Sequence, residues 1–178
     1  MDLETYLQRV RTFYFERFKA FVERQKGACA LGGPEVKFEL SGTNAVFRQL
    51  YCADFVKNDD GNTEIVEYQP DRRLDLEPLN TEFGFMDVRV EAFSWDKFVV
   101  EWSPNVLSAE ALNGWFELWF DPRGRRRDRD SEFAECIHCV VITEGSLTID
   151  LGTAPVDAVL ALLEMMEQEG IERVRLGT

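Results

Sequence analysis

The stretch from residue 146 to 178 constrains the fold more than any other part of the sequence. It begins with SLTIDL, in which apolar and polar residues alternate as in a strand with one buried face. A segment of helical period follows, with Pro155 in its first turn and Gly170 at its end. Its apolar face is formed by Val156, Val159, Leu160, Leu163 and Met166. Alternating RVRL comes next, so the order strand, helix, strand predicts a right-handed parallel β-α-β crossover between neighbouring strands.

The N-terminal part predicts a long amphipathic helix from Leu3 to Val22. Apolar residues recur there at helical spacing. They form a stripe of Leu3, Leu7, Val10, Tyr14, Phe18 and Phe21, with Phe15 and Val22 beside it. Tyr6 and Phe13 widen the apolar arc, and we expect the helix to pack deeply into its own domain rather than to bind a partner. The run GACALGGP ends the helix.

After this helix the period becomes alternating, which predicts strands. Residues 36–40 alternate between apolar and charged, and FVKNDDGNTEIVEY has turn residues between two strand-like runs, as in a hairpin. A second hairpin is predicted in which residues 86–92 turn at SWDK and return as 98–102. Residues 68–81 contain two prolines and no period, which indicates a long surface connection. For residues 45–53 both strand and helix remain open.

A mid-chain helix is predicted after Ser108, because serine is favoured at helix N-caps. Leu112, Trp115, Phe116 and Trp119 follow at helical spacing. The helix is expected to end before the Asp121-Pro122 pair, where a strongly charged loop begins. A strand from about 133 to 142 then turns at TEGS into SLTIDL.

Together these elements predict one α+β domain over residues 1–178. We expect a mostly antiparallel curved sheet with an N-terminal helix, a mid-chain helix and a C-terminal β-α-β crossover. A chain of 178 residues buries roughly 70% of its unfolded surface, which is enough for a core without covalent or metal staples. The four cysteines are too few and too irregularly spaced for a disulfide framework, so we expect all of them to be reduced.

The charge of the sequence limits its partners. A formal net charge of −13 repels nucleic acid and anionic lipid, so we expect neither nucleic acid nor membrane as a partner. No apolar run approaches the roughly 20 residues that a membrane-spanning helix needs. The N-terminal residues lack the basic and apolar regions of a signal peptide, which favours a cytoplasmic protein. A basic protein is the partner that this charge favours.

The residues DLGT, from Asp150 to Thr153, resemble the first phosphate motif of the actin-like and sugar-kinase ATPases. In those enzymes the motif lies in the turn of an antiparallel hairpin. Here the turn leads into a helix with a proline in its first turn, so the hairpin is missing and we do not infer a nucleotide site. We expect Gly152 to make the turn and Thr153 to cap the helix. A small anion at this helix N-terminus is the weaker alternative, because Asp150 opposes it.

The sequence ECIHC contains the only histidine, His138, between Cys136 and Cys139. A Cys-x-x-Cys pair is typical of zinc and redox sites. On a strand, however, Cys136 and Cys139 point to opposite faces, and zinc would need Cys29 and Cys52 from distant segments. We therefore expect buried structural cysteines and no metal or other cofactor. The NDDGNTE turn does not match a calcium loop either, because its acids are adjacent rather than alternating.

An arginine-rich loop is the best sequence candidate for ligand or partner binding. PRGRRRDRDSE contains Arg125, Arg126 and Arg127, and arginine clusters bind phosphate or carboxylate through paired hydrogen bonds. Acidic residues among them nearly cancel the charge, so a solvated loop that pairs with its neighbours is the preferred interpretation.

No catalytic residue is assigned from the sequence. A serine or cysteine nucleophile would have to rely on the only imidazole, and the GxSxG motif of the α/β-hydrolases is missing. We therefore expect a non-enzymatic cytoplasmic domain that works by protein association, of a regulatory or immunity-type inhibitor kind, with an acidic surface for a basic partner. The alternative is a small-molecule-binding protein or enzyme with a pocket between the sheet and the N-terminal helix.

Overall fold

A computed structural model of the protein describes residues 1–59, 61–104 and 106–178. Within these residues the chain forms three α-helices and nine β-strands in two sheets, which confirms the α+β class and the three predicted helices. Six of the seven strand pairings are antiparallel. The mostly antiparallel arrangement is therefore also confirmed, although the strands divide between two sheets instead of forming one.

The helices are α1 (Leu3–Gly27), α2 (Ala109–Phe120) and α3 (Asp157–Gln168). The strands are β1 (Gly32–Glu39), β2 (Leu50–Asp59), β3 (Asn62–Val66), β4 (Leu79–Phe83), β5 (Met86–Val90), β6 (Phe98–Ser103), β7 (Cys139–Thr143), β8 (Ser146–Asp150) and β9 (Arg173–Gly177). One sheet has the order β1-β2-β3, and the other has the order β4-β5-β9-β6-β8-β7.

The C-terminal crossover, formed by β8, α3 and β9, differs from its prediction in one respect. Both β8 and β9 pair antiparallel with β6, so the two strands run parallel to each other in one sheet. They are not neighbours, because β6 lies between them. The expected neighbouring pair was therefore wrong. Alternation shows which face of a strand is buried, but it does not show which strand will pair with it.

The second predicted hairpin was wrong for the same reason. Its two strands, β5 and β6, both form, but β9 lies between them and pairs parallel with β5. The antiparallel partner of β5 is β4, which comes directly before it and falls partly in the predicted long connection. The turn between these two strands contains Gly84 with a φ of 58°, a backbone conformation that favours glycine.

The first hairpin is confirmed as the antiparallel pair of β2 and β3. Asp60, at its turn, lies outside the described residues. The undecided stretch 45–53 contains a short 3-10 turn at Phe47–Gln49 followed by the start of β2. The predicted strand from 133 to 142 is regular only from Cys139 onward.

Helix α1 packs with the predicted stripe inward. All six stripe residues are buried, and Tyr6 at the margin is buried as well, with its ring against Phe93. Ser108 caps α2 as predicted, since its side chain accepts a hydrogen bond from the Ala111 N–H at 3.1 Å. Helix α3 begins at Asp157, so Pro155 precedes it instead of lying in its first turn.

Among the described residues, no helix combines the length and the hydropathy that a membrane span requires.

Candidate functional site

His138 is fully buried and lies between two carboxylates. Its Nδ1 is 2.8 Å from Asp54 Oδ1, and its Nε2 is 2.9 Å from Glu35 Oε1. His138 comes just before β7, whereas Glu35 and Asp54 come from β1 and β2 of the other sheet. The three side chains thus join the two sheets through charge-assisted hydrogen bonds.

Glu35 and Asp54 face the same ring because of the register of their strands. Pro34 pairs with Phe55 and Val36 pairs with Ala53, so Glu35 and Asp54 occupy the position between these pairs. Glu35 has a φ of 55°, in the left-handed region that residues other than glycine seldom adopt. Backbone strain of this kind persists where the surrounding contacts require it, and it often marks a functional site.

Further hydrogen bonds fix the two carboxylates. Asp54 Oδ2 accepts the backbone N–H of Tyr68 at 2.7 Å, and Glu35 Oε2 accepts that of Ala134 at 2.5 Å. The hydroxyl of Thr153 donates to Glu35 Oε1. We call His138, Glu35, Asp54 and Thr153 the histidine cluster. Each carboxylate oxygen in it has a hydrogen-bond donor, which is what burial of charged groups requires.

The cluster changes the pKa of its members. Burial alone lowers the pKa of His138, but hydrogen bonds to Asp54 and Glu35 outweigh burial and place that pKa well above the ordinary value. Burial raises the pKa of Glu35, but the hydrogen bond and charge of His138, together with the hydrogen bonds from Thr153 and Ala134, more than offset burial and leave the pKa lowered. With both ring nitrogens bonded to carboxylates, His138 is not free to act as a general base toward a substrate.

The DLGT segment packs against this cluster. Gly152 makes the turn as predicted, with a φ of 50°, and a Cβ added there would lie 2.1 Å from the His138 ring. Thr153 does not cap α3, because its hydroxyl binds Glu35 instead, and α3 has no side-chain cap. The glycine and threonine that resembled a phosphate motif thus make room for the histidine and bind its partner.

The cysteines do not pair as the Cys-x-x-Cys spacing suggests. All four are free thiols, and Cys136 lies close to Cys52 of β2. The sulfur atoms of Cys52 and Cys136 and one ring nitrogen of His138 all lie within 4.8 Å of one another. Cys139, on β7, is not part of this group, and burial raises the pKa of its thiol to about 12.

A cleft of about 800 Å³ opens above Asp54. Asp150, half-buried at the end of β8, lines it, and so does half-buried Asp96 from the turn before β6. Burial raises the pKa of Asp150 to about 7, although the charge of His138 acts to lower it. The remaining lining residues are Tyr51, Glu67, Tyr68, Gln69, Pro70, Asp71, Arg72, Arg73, Ser94 and Lys97.

The position of this cleft differs from the expected one. Where α1 packs on the connection after β3, a space of only about 10 Å³ remains among aromatic side chains. The cleft instead lies over β2 and the end of β8, and its wall is formed by residues 67–73. The aromatic residues near α1 therefore form core, and the polar residues line the concave site.

The predicted candidates Arg125, Arg126 and Arg127 lie in the exposed loop after α2 and do not line the cleft. The backbone N–H groups of Arg125 and Arg126 donate to Asp121 at 2.8 Å each. The guanidinium of Arg127 donates to the backbone oxygen of Glu132. The guanidinium of Arg126 also contacts α2, because it donates to the backbone oxygen of Leu118 and lies over the Trp119 ring.

Glu35, Asp54 and Asp150 were not predicted from the sequence as site residues. One signal was present: Asp54 is a lone charge within the apolar run CADFV, which is typical of a strand buried on both faces, and a charge buried there needs partners.

Comparisons with family models, curated proteins and solved structures found no match to this chain. The geometry alone therefore carries the functional argument.

Proposed function

We propose that the protein binds a small cationic molecule, an amine or guanidinium compound, in the cleft. The observation that carries this proposal is the acidic lining of the cleft, in which Asp54 is buried and Asp96 and Asp150 are half-buried. Five carboxylates line the cleft against three cationic side chains. Carboxylates held in a concave, partly dehydrated site attract cations more strongly than exposed ones do.

The distribution of charges around the cleft also supports binding of a cation. The cationic side chains Arg72, Arg73 and Lys97 are exposed at the rim, whereas Asp96 and Asp150 are half-buried. A bound cation would therefore meet the carboxylates at depth and present any anionic group to the rim.

The volume of the cleft is in the usual range for small-molecule sites, which is roughly 300 to 1,000 Å³. The carboxylates of its interior are also held in place. Asp54 is fixed by His138 and by the Tyr68 N–H, and Asp150 Oδ1 accepts the Gly152 N–H at 2.9 Å. Groups that are already oriented lose little entropy when a ligand binds.

Titration calorimetry with agmatine as the probe tests the proposal. Agmatine has a guanidinium and an amine, and we expect it to bind while the dianion succinate does not. Asp150→Asn should weaken agmatine binding about tenfold or more, because one buried charge-assisted contact contributes about 1.5 to 3 kcal/mol. Glu144→Gln is the matched control, since it removes one acid at an exposed turn outside the cleft. Equal binding by both variants would contradict the proposal.

A second candidate is association with a basic protein, which the net charge of −13 favours. Biolayer interferometry with immobilised poly-lysine measures it. Binding that falls with salt and is unchanged by Asp150→Asn would support this surface association. Binding that Asp150→Asn abolishes would indicate that the cleft itself receives the lysine side chains.

A further inference from the structure

The structure brings together four buried side chains of the types that bind zinc. Cys52, Cys136 and His138 are each no more than 1% exposed, and Glu35 is 6% exposed. The two sulfur atoms and a His138 nitrogen lie within 4.8 Å of one another. Glu35 Oε1 is 2.9 Å from His138 Nε2 and 4.0 Å from Cys136 Sγ. Two sulfurs and an imidazole nitrogen thus form one group, and a carboxylate oxygen lies beside two of its three members.

These distances suit a tetrahedral ion. At usual bond lengths of about 2.0 Å to nitrogen and oxygen and about 2.3 Å to sulfur, donors around tetrahedral Zn²⁺ are roughly 3.3 to 3.8 Å apart. The separations of 2.9 and 4.0 Å bracket that range. The other donors, Cys52 Sγ, Cys136 Sγ and a His138 nitrogen, are no more than 4.8 Å apart, so side-chain rotation would complete their approach to one ion.

The groups behind these donors are those that a zinc site needs. His138 directs Nδ1 to Asp54, which leaves Nε2 facing Glu35. A carboxylate on the far ring nitrogen orients a zinc-binding imidazole and makes it a better ligand. Glu35 is held in turn by Ala134 N–H and the Thr153 hydroxyl. The histidine cluster thus already contains the outer hydrogen bonds of such a site.

We propose that the protein binds one structural Zn²⁺ through Cys52 Sγ, Cys136 Sγ, His138 Nε2 and Glu35 Oε1. All four positions are filled by protein donors, which is typical of a structural rather than a catalytic zinc. Binding releases the two thiol protons and the Nε2 proton, and the Nδ1 proton stays on the bond to Asp54. Because the donors are buried, the ion enters as the two sheets assemble.

The proposed zinc site departs from the expectation of a metal-free protein. It also joins Cys136 to Cys52 instead of to Cys139. The odd spacing of Cys136 and Cys139 argued against zinc, and these two residues do not form the site. The partner of Cys136 is Cys52, 84 positions away and on the other sheet. No short motif in the sequence joins these two residues.

Metal analysis of the purified full-length protein tests the proposal. Protein produced with zinc in the medium and purified without chelator should contain about one zinc per chain by inductively coupled plasma mass spectrometry. Cys52→Ser and Cys136→Ser should lose most of it. Cys139→Ser is the matched control and should keep it, because Cys139 lies outside the group of donors. Zinc-free wild-type protein, or equal loss in all three variants, would overturn the proposal.

Cobalt substitution keeps the proposal testable if the serine variants do not fold. Wild-type protein refolded with Co²⁺ should show the intense visible bands of tetrahedral cobalt and a near-ultraviolet thiolate-to-cobalt band, and so should Cys139→Ser. A weak octahedral spectrum would overturn the site. An intact mass two hydrogens below the reduced value, from a Cys52–Cys136 disulfide, would also overturn it, because the thiolates would then be unable to bind the ion.

Discussion

The C-terminal crossover and the histidine cluster are both buried, but different forces hold them. In the crossover, Leu147, Ile149 and Leu163 are fully buried among other apolar side chains. In the cluster, His138 and its carboxylates are buried with a hydrogen-bond partner for each charged atom. Apolar burial is tolerant of small changes in geometry, whereas buried charges need every partner in place. The crossover is therefore held by apolar packing, whereas the cluster joins the two sheets through hydrogen bonds between charged groups.

Removing β9 should have the largest effect on the crossover. This strand lies at the centre of the six-stranded sheet and pairs with both β5 and β6. Truncation after Gly170 would leave both of these neighbours with an unpaired edge and expose the apolar face beneath. We expect insoluble or unfolded protein, measured by soluble yield and circular dichroism. Deletion of exposed Thr178 alone is the control and should leave both unchanged. A soluble truncated chain with an unchanged melting temperature would contradict the observed pairing.

Removing the histidine should have the largest effect on the cluster. In His138→Leu the buried carboxylates of Glu35 and Asp54 lose their common partner, and breaking a buried ion pair in this way costs about 3 to 5 kcal/mol. Urea denaturation measures the loss. The triple variant with Glu35→Gln and Asp54→Asn removes the unpaired charges and should recover part of the stability. A loss of less than about 1 kcal/mol in His138→Leu would mean that the carboxylates do not depend on the ring.

Truncating a leucine should have a smaller effect on the crossover. Leu163 of α3 is fully buried, and Leu→Ala at such positions costs about 2 to 5 kcal/mol. Leu160 on the same helix is only half-buried, so Leu160→Ala should cost clearly less. Urea denaturation measures the loss of stability in both variants. Equal losses of stability would show that the side of α3 that packs against the sheet is not the side seen in the structure.

The difference between the crossover and the histidine cluster also explains which features could be predicted from the sequence. The three helices and the buried faces of β5, β6 and β8 follow from periodicity, because apolar burial repeats every two or 3.6 residues. Strand partners do not follow, since nothing in the alternation of β9 shows that it will lie between β5 and β6. The histidine cluster was the feature that the sequence predicted least well. Glu35, Asp54 and His138 lie on three separate segments, and only the register of β1 with β2 brings the carboxylates to the ring.

The smallest expected effect concerns the arginine loop, which belongs to neither region. Arg125, Arg126 and Arg127 are exposed, and exposed ionic contacts contribute about 0 to 1 kcal/mol each. The triple alanine variant should therefore lower the melting temperature only slightly. Arg126 is the most anchored of the three, because its guanidinium lies 4.2 Å from the centroid of the Trp119 ring. Most of any loss should accordingly appear in Arg126→Ala alone, measured by differential scanning calorimetry. The backbone N–H bonds to Asp121 persist in these variants, so a loss of several degrees would show that the side chains, and not the backbone turn, attach the loop to α2.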